Sequence, residues 1–168
     1  MKMDILVTKW IALEGTAQIA EAETENLLKR FPSWLVCEAK SFTSYLSTDT
    51  EEKVCHELGI KTILKVGNNG IFGALWDLAE EHKTGLRVEL KKIPVRQETI
   101  EIYNYIDQNP YESASGGMLL IFCDKSDELL SHLEVAGVLS TIIGQTTNNN
   151  DRVILNKDRV RFLKALNE

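Results

Sequence analysis

The sequence has few of the residues that build disulfide frameworks, proline-rich linkers or membrane spans. It holds three cysteines and three prolines in 168 residues. Its longest apolar stretches, such as 118–123 and 135–139, are far shorter than the roughly 20 residues that cross a bilayer. The opening residues also lack the layout of a secretory signal. We therefore expect a cytoplasmic protein with no membrane partner.

The three cysteines form no CxxC pair, and an odd number does not suit a disulfide framework. We expect Cys37, Cys55 and Cys123 to be buried or inert thiols. The three histidines are dispersed along the chain without the spacing of a zinc site. No metal site is predicted.

Charge is of mixed sign and nowhere concentrated. The chain has 19 Lys and Arg against 25 Asp and Glu, a formal net charge of −6, and no basic run longer than Lys91–Lys92. Binding to phosphate backbones needs clustered cations, so a nucleic-acid partner is disfavoured. The length and the lack of linkers or repeats predict one domain over residues 1–168.

Hydrophobic spacing predicts strands alternating with helices through most of the chain. A stripe from Leu13 to Phe31 predicts one helix that Pro32 ends, and Gly59 ends a later helix that begins at Asp49 or Thr50. Strands are predicted at 5–7, 62–66, 87–90 and 118–122, and further helices at 34–45, 71–79, 99–106 and 129–136.

The C-terminal part has a different pattern. Residues 140–143 and 152–155 flank a Thr- and Asn-rich turn and are predicted to pair as a hairpin. The spacing of Val160, Leu163 and Leu166 predicts a closing helix. Alternating elements followed by a hairpin indicate an α+β fold, with helices packed on a mixed sheet.

A polar loop stands between the strand at 62–66 and the helix at 71–79. In Gly67, Asn68, Asn69 and Gly70, free backbone N–H groups at a helix N-terminus could hold a small anion, with Lys65 as the nearest counter-charge. The segment matches neither GxGxxG nor GxxxxGK[ST]. A plain strand-to-helix turn is therefore the favoured alternative.

Two other segments have small residues where a ligand's anion could approach the backbone. Gly15 and Thr16 stand near the start of the first helix, and Ser115 and Gly116 lie in a turn before the strand at 118–122. Both segments also fit ordinary turns, and the turn is favoured in each case.

Five segments in order give the sequence a resemblance to a known family. They are TKWIALEGTAQIAE (8–21), NNGIFGALWDLAEEHKTGLRVEL (68–90), KIPVRQETIEI (92–102), SASGGMLLIF (113–122) and AGVLSTIIGQTT (136–147). Together they resemble the C-terminal domain of the aminoimidazole ribonucleotide (AIR) synthetase superfamily, especially hydrogenase maturation factors of the HypE type. The resemblance implies an α/β/α sandwich around a mixed sheet.

The resemblance also implies what this chain would lack. Members normally carry an N-terminal domain whose acidic residues hold magnesium-ATP, and we expect that half to be absent unless another polypeptide provides it. Relatives often have an Asp-x-Thr-Glu-Gly-Gly loop, where this sequence reads KVGNNG at 65–70, and HypE-type enzymes end in a cysteine-bearing tail, where it ends in LNE. We therefore do not expect carbamoyl dehydration by this chain.

Three functions remain open on this basis. The first is a non-catalytic module that binds a ligand or protein, linked to hydrogenase maturation, with no cofactor of its own beyond a nucleotide or phosphate ligand. The second is half of an ATP-dependent enzyme that a separate N-terminal chain completes, and the third is a self-associating structural protein. We expect a homodimer or a protein complex that buries Trp10 and Ile11, because these residues follow the position of the missing domain.

Overall fold

The computed structural model describes residues 2–163. It has seven strands in one sheet, in the order β2-β4-β1-β5-β3-β6-β7. The strands are β1 Asp4–Thr8, β2 Ile63–Lys65, β3 Gly85–Glu89, β4 Leu119–Cys123, β5 Ser140–Thr147, β6 Arg152–Asn156 and β7 Arg159–Phe162. Neighbours are antiparallel except β3 and β6, which are parallel. The predicted mixed sheet is confirmed.

Seven α-helices accompany the sheet in the described part of the chain. They are α1 Leu13–Ala22, α2 Thr24–Leu28, α3 Ser33–Ser41, α4 Asp49–Glu57, α5 Gly70–His82, α6 Gln97–Ile106 and α7 Ser126–Val135. Short 3-10 helices occupy Phe42–Tyr45, Leu90–Lys92 and Pro110–Glu112. None of the helices within residues 2–163 combines the length and apolar character that a membrane crossing requires.

The sheet has a separate apolar core on each face. On one face, Ile71, Leu75 and Leu78 of α5 pack against residues of the sheet that include Ile5 and Leu86. On the other face, residues of α4 and α7 pack against Leu6 and alternate residues of β4. Helices on both faces of a mixed sheet confirm the expected α+β, α/β/α sandwich.

The predicted first helix is broken near its middle. Glu23 leaves the helical conformation, with φ −116° and ψ 25°. The Thr24 hydroxyl donates to the carbonyls of Ala20 at 2.7 Å and Glu21 at 3.2 Å. Such back-bonding competes with regular helix geometry. The apolar stripe continues across the break, so periodicity alone did not reveal it.

Two predictions for the C-terminal part are wrong. β5 and β6 do not pair with each other, because β3 lies between them and pairs with both. The segment predicted as a closing helix forms β7, which pairs with β6 across a turn in which Lys157 has φ +57°. Alternation of Arg and apolar residues over Arg159–Phe162 is the strand signal. Leu166 lies outside the described residues.

A buried ion pair fixes the C-terminal end of β1. The side chains of Lys9 and Glu51 are 11% and 2% exposed, and Lys9 Nζ lies 2.9 Å from the Glu51 carboxylate. Lys9 Nζ also donates to the carbonyls of Tyr45 at 2.9 Å, Ser47 at 2.6 Å and Gly117 at 3.0 Å. The pair therefore joins β1, α4 and the segments around residues 46 and 117.

Two of the three cysteines are buried and one is not. Cys55 of α4 and Cys123 of β4 lie in the core between the sheet and the helices α4 and α7, whereas Cys37 is exposed on α3. Of the expected buried or inert thiols, Cys37 is not buried, because α3 packs inward through Leu35, Val36 and Ala39 instead. Burial raises the pKa of Cys55 to about 11, with the charges of Cys123, Glu51 and Glu52 adding to it. Burial also raises the pKa of Cys123.

Thiol labelling tests this arrangement. At pH 8 only about one Cys55 molecule in a thousand is a thiolate, so Ellman's reagent should modify one thiol per native chain and three in urea. Cys37→Ser should remove the native reaction and leave two thiols in urea. Rapid native labelling of Cys37→Ser would contradict the buried placement of Cys55 and Cys123.

The Lys9–Glu51 pair gives a stability prediction. Glu51→Gln removes the charge that faces a nearly buried ammonium, and we expect a loss of about 3 kcal/mol in the free energy of unfolding. The double variant Lys9→Met with Glu51→Leu should lose less, because neither charge then remains buried. Urea unfolding followed by circular dichroism measures both.

Glu89→Gln is the control, because the Glu89–Lys92 pair is half exposed on each side. Its unfolding free energy should change by less than about 1 kcal/mol. Equal midpoints for Glu51→Gln and Glu89→Gln would show that the buried pair has no special role.

Candidate functional site

The three segments selected from the sequence converge at one end of the sheet. Gly15 N–H donates to the Ala114 carbonyl at 2.9 Å, and Ser115 N–H donates to the Gly67 carbonyl at 3.1 Å. The Ser115 hydroxyl accepts from Ala12 N–H at 2.8 Å. Residues 12–16, 67–70 and 113–117 thus form one hydrogen-bonded junction, which we call the three-loop junction.

Loop 67–70 is the open part of this junction. Gly70 begins α5 with φ +70°, and an added Cβ would lie 2.5 Å from the Tyr111 carbonyl oxygen, so only glycine fits there. Its N–H donates back to the Gly67 carbonyl at 3.1 Å. Asn68 is exposed and Asn69 half-buried, and neither side chain caps α5.

The first turn of α5 has unused donors. Within residues 2–163, the backbone N–H groups of Asn68, Asn69, Ile71 and Phe72 have no hydrogen-bond acceptor. Unpaired N–H groups at a helix N-terminus carry the positive end of the helix dipole. Such a terminus favours an anion placed against the loop.

Lys65 stands at the end of β2, just before this loop. Its side chain is two-thirds exposed, and its ammonium lies 3.5 Å from the Glu52 carboxylate. Glu52 also accepts a hydrogen bond from the Thr48 hydroxyl at 2.9 Å. Lys65 can therefore serve as counter-charge to a ligand only by sharing or leaving Glu52.

Gly15 and Thr16 are used in packing. Both are buried, and the missing side chain of Gly15 makes room for the Tyr103 hydroxyl, 2.2 Å from where a Cβ would stand. The hydroxyl groups of Thr16 and Thr99 are 2.9 Å apart. The N–H groups of Gly15 and Thr16 donate to Ala114 and Ala12. The contacts of these two residues are those of a packed turn, the alternative that the sequence favoured over an anion site.

Ser115 and Gly116 are also engaged within the chain. Ser115 is buried, and its hydroxyl donates to the Ser113 carbonyl at 2.9 Å. Gly116 N–H donates to the Glu14 carboxylate at 3.2 Å. An added Cβ at Gly116 would lie 2.8 Å from the same carboxylate oxygen. The carboxylate of Glu14 therefore already occupies the amide that a ligand would have to reach at Gly116, and the segment forms the turn that the sequence favoured.

Glu14 and Lys9 were not singled out by the sequence analysis. Glu14 lies in the first turn of α1, where an acidic residue is ordinarily explained by its favourable interaction with the helix dipole. Lys9 has φ +59°, a conformation that nothing in its neighbourhood predicts. Their roles depend on contacts with residues more than 30 positions away.

Tyr103 packs against the three-loop junction, with its hydroxyl beside Gly15 and Ser113. Its side chain is buried, and this burial raises the pKa of its phenol, while a hydrogen bond with the Ser113 side chain opposes the shift. The phenol is therefore neutral at physiological pH. A neutral hydroxyl held among Gly15 and Ser113 contributes packing and hydrogen bonding rather than charge.

The predicted interface residues differ in exposure. Ile11 is fully buried in the core of the chain, so it is not available to a partner and its prediction as an interface residue is wrong. Trp10 is half-buried. Its ring lies 5.0 Å from the Arg96 guanidinium and 5.6 Å from the Tyr45 ring. Both contacts hold the indole within its own fold and leave part of it exposed.

Known structures share this fold. The crystal structure of E. coli HypE, a hydrogenase maturation protein, matches with a TM-score of 0.81 and 13% identity over 99% of this chain and 50% of that chain. HypE in complex with ATP matches at 0.73 and 14% identity, over 99% and 51%. Thiamine-monophosphate kinase from Stenotrophomonas maltophilia K279a matches at 0.66 and 15%, over 95% and 51%.

The chain spans about half the length of these structures, and at such identities the likeness shows the fold. A comparison with curated proteins finds no match. A family model described as "AIR synthase related protein, C-terminal domain" matches residues 50–156. The match covers most of the chain and includes loop 67–70, α5 and residues 113–117 of the three-loop junction, whereas residues 12–16 lie outside it. The resemblance read from the sequence is thereby confirmed, and the chain belongs to the AIR synthase related family as a C-terminal domain.

Proposed function

We propose that this chain is a non-catalytic binding module that holds the anionic group of a small ligand, such as a phosphate or nucleotide, at loop 67–70. The observation that carries the proposal is the N-terminus of α5, with its unpaired N–H groups beside the exposed Asn68. The HypE likeness makes hydrogenase maturation the first process in which to seek its partner.

The charge of the loop favours binding over catalysis. A magnesium ion that binds phosphates also needs oxygen ligands from the protein, usually carboxylates. Here Lys65 stands at the loop, and the nearby Glu52 carboxylate is already shared between Lys65 and the Thr48 hydroxyl. An ammonium at this position attracts a free anion and repels a metal ion.

Variants at the loop test the site. Lys65→Met should weaken the binding of inorganic phosphate or ATP, and the loss should shrink as salt rises, because the contribution is electrostatic. Asn68→Ala should weaken binding at all salt concentrations, because it removes an amide donor. Isothermal titration calorimetry at 20 to 300 mM salt, about a fourfold fall in Debye length, separates the two effects.

Lys61→Met is the matched control, because Lys61 is an exposed lysine just before β2. Gly70→Val is unsuitable, since its side chain would collide with the backbone of residues 111–113. Unchanged affinity in both Lys65→Met and Asn68→Ala would exclude the loop as the binding site.

The alternative is half of an ATP-dependent enzyme that a separate N-terminal chain completes. It is favoured by the coverage of about half of each relative, one of which is described in complex with ATP. ATP hydrolysis that appears only when the chain is mixed with such a partner would support it. ATP hydrolysis by the purified chain alone would contradict the non-catalytic proposal.

We further propose that the chain forms a homodimer or docks on a partner protein through the exposed part of Trp10. A partly exposed indole beside a guanidinium is typical of residues that anchor interfaces. At micromolar concentration, sedimentation equilibrium should show an associated wild type and a weakened Trp10→Ser.

Trp34→Ser is the control for Trp10→Ser, since Trp34 is the most exposed tryptophan and lies on α3. Circular dichroism should confirm that each variant folds. A monomeric wild type with no protein partner, or an assembly that Trp10→Ser leaves unchanged, would contradict this proposal.

A further inference from the structure

Among the described residues, no helix covers part of one sheet face. The core under α4 and α7 lies over β1, β2 and β4 and reaches the edge of β5. Arg87 of β3 pairs in register with Gln145 of β5 and Val153 of β6, so these side chains share the same face. Arg87 and Gln145 are exposed and Val153 is half-buried.

A concave pocket of about 530 Å³ lies on this open face. Its polar lining includes Lys2, Arg87, Glu89, Lys92, Gln145 and Thr147. The volume is within the range of small-molecule sites, but the lining has more charge than most. The pocket shares no residue with loop 67–70, so it is a second and separate location.

Only one of the three cations that line the pocket has an ion-pair partner among the described residues. Lys92 Nζ lies 2.8 Å from the Glu89 carboxylate, which neutralises that pair. Within residues 2–163, the side chains of Arg87 and Lys2 form no hydrogen bond or ion pair. The Asp4 carboxylate at the border accepts from Gln145 Nε2 at 3.2 Å and from the Ser126 hydroxyl. These neutral donors leave the negative charge of Asp4 in place. Among the described residues, Arg87 and Lys2 are therefore two cations without an ion-pair partner, with the Asp4 carboxylate as the nearest negative charge outside the Glu89–Lys92 pair, in a chain of net charge −6.

The backbone holds Arg87 firmly at the pocket. Gly144 of β5 also lines it, and an added Cβ at Gly144 would lie 2.1 Å from the Arg87 carbonyl oxygen. β3 and β5 therefore approach each other closely at this point. The backbone of Arg87 is fixed between two paired strands, so its side chain leaves the sheet at a defined position beside the pocket.

We propose that this pocket binds a small molecule through a diphosphate group. The planar fork of Arg87 can donate two hydrogen bonds to one phosphate, and the Lys2 ammonium supplies a second positive charge. Gln145 Nε2 already donates to Asp4, and the Thr147 hydroxyl donates to Asn149. Gln145 Oε1 and Thr147 Oγ1 can accept hydrogen bonds from the rest of the ligand. Arg87 and Lys2, which have no ion-pair partner among the described residues, favour a ligand with at least two negative charges over a neutral one.

Titration with inorganic pyrophosphate, followed by amide shifts in ¹⁵N-labelled protein at low salt, tests the proposal. We expect saturable shifts at Arg87, Gly144 and Gln145. Arg87→Gln should weaken the affinity about tenfold or more, because it removes a charge-assisted bidentate contact. Arg159→Gln is the matched control, since Arg159 is an exposed arginine on the same sheet that does not line the pocket, and its affinity should equal that of the wild type.

Further probes separate this site from the loop and identify the ligand's chemistry. Lys65→Met should leave the pyrophosphate shifts at Arg87 unchanged. A negative result for the pocket and a negative result for loop 67–70 are therefore distinguished from each other. ADP should shift the same pocket amides as pyrophosphate, and adenosine should not. Absence of saturable shifts, equal weakening by Arg87→Gln and Arg159→Gln, or equal shifts with adenosine would overturn the proposal.

Discussion

The buried ion pair between Lys9 and Glu51 is the constraint on which the candidate site depends. Taking two charges out of water costs several kcal/mol per ion, and only near-complete pairing and hydrogen bonding offset it. Lys9 meets that condition with one carboxylate and three carbonyls drawn from separate segments. One of those carbonyls belongs to Gly117, so the same contacts fix the end of the turn that closes the three-loop junction.

Local signals in the sequence predicted local structure well. α4 begins at Asp49, where acidic residues in the first turn favour a helix start, and the buried β4 coincides with the most apolar run. The C-terminal strands show the limit of such signals. Alternation reveals that a segment is a strand but not which strand it joins, so it could not show that β3 separates β5 from β6.

The site illustrates the same limit for glycine. Three glycine-containing segments looked equivalent in the sequence, yet their surroundings differ. Gly15 accommodates Tyr103 and Gly116 faces Glu14, whereas loop 67–70 is exposed at Gly67 and Asn68. What fills the space beside a glycine is decided by residues distant in sequence, here the α6 tyrosine and the first turn of α1. No short motif carries that information.

Through the hydrogen bond from Gly116 N–H to Glu14, a carboxylate of the chain itself already occupies one amide of the three-loop junction. Because Glu14 belongs to the same chain, it competes intramolecularly with any external anion for that amide. An external anion can take its place only if its own affinity exceeds this intramolecular competition. Weakly bound anions that are abundant in cells are thereby excluded from the amide of Gly116, and the adjoining loop 67–70 is the part of the junction that stays open to them.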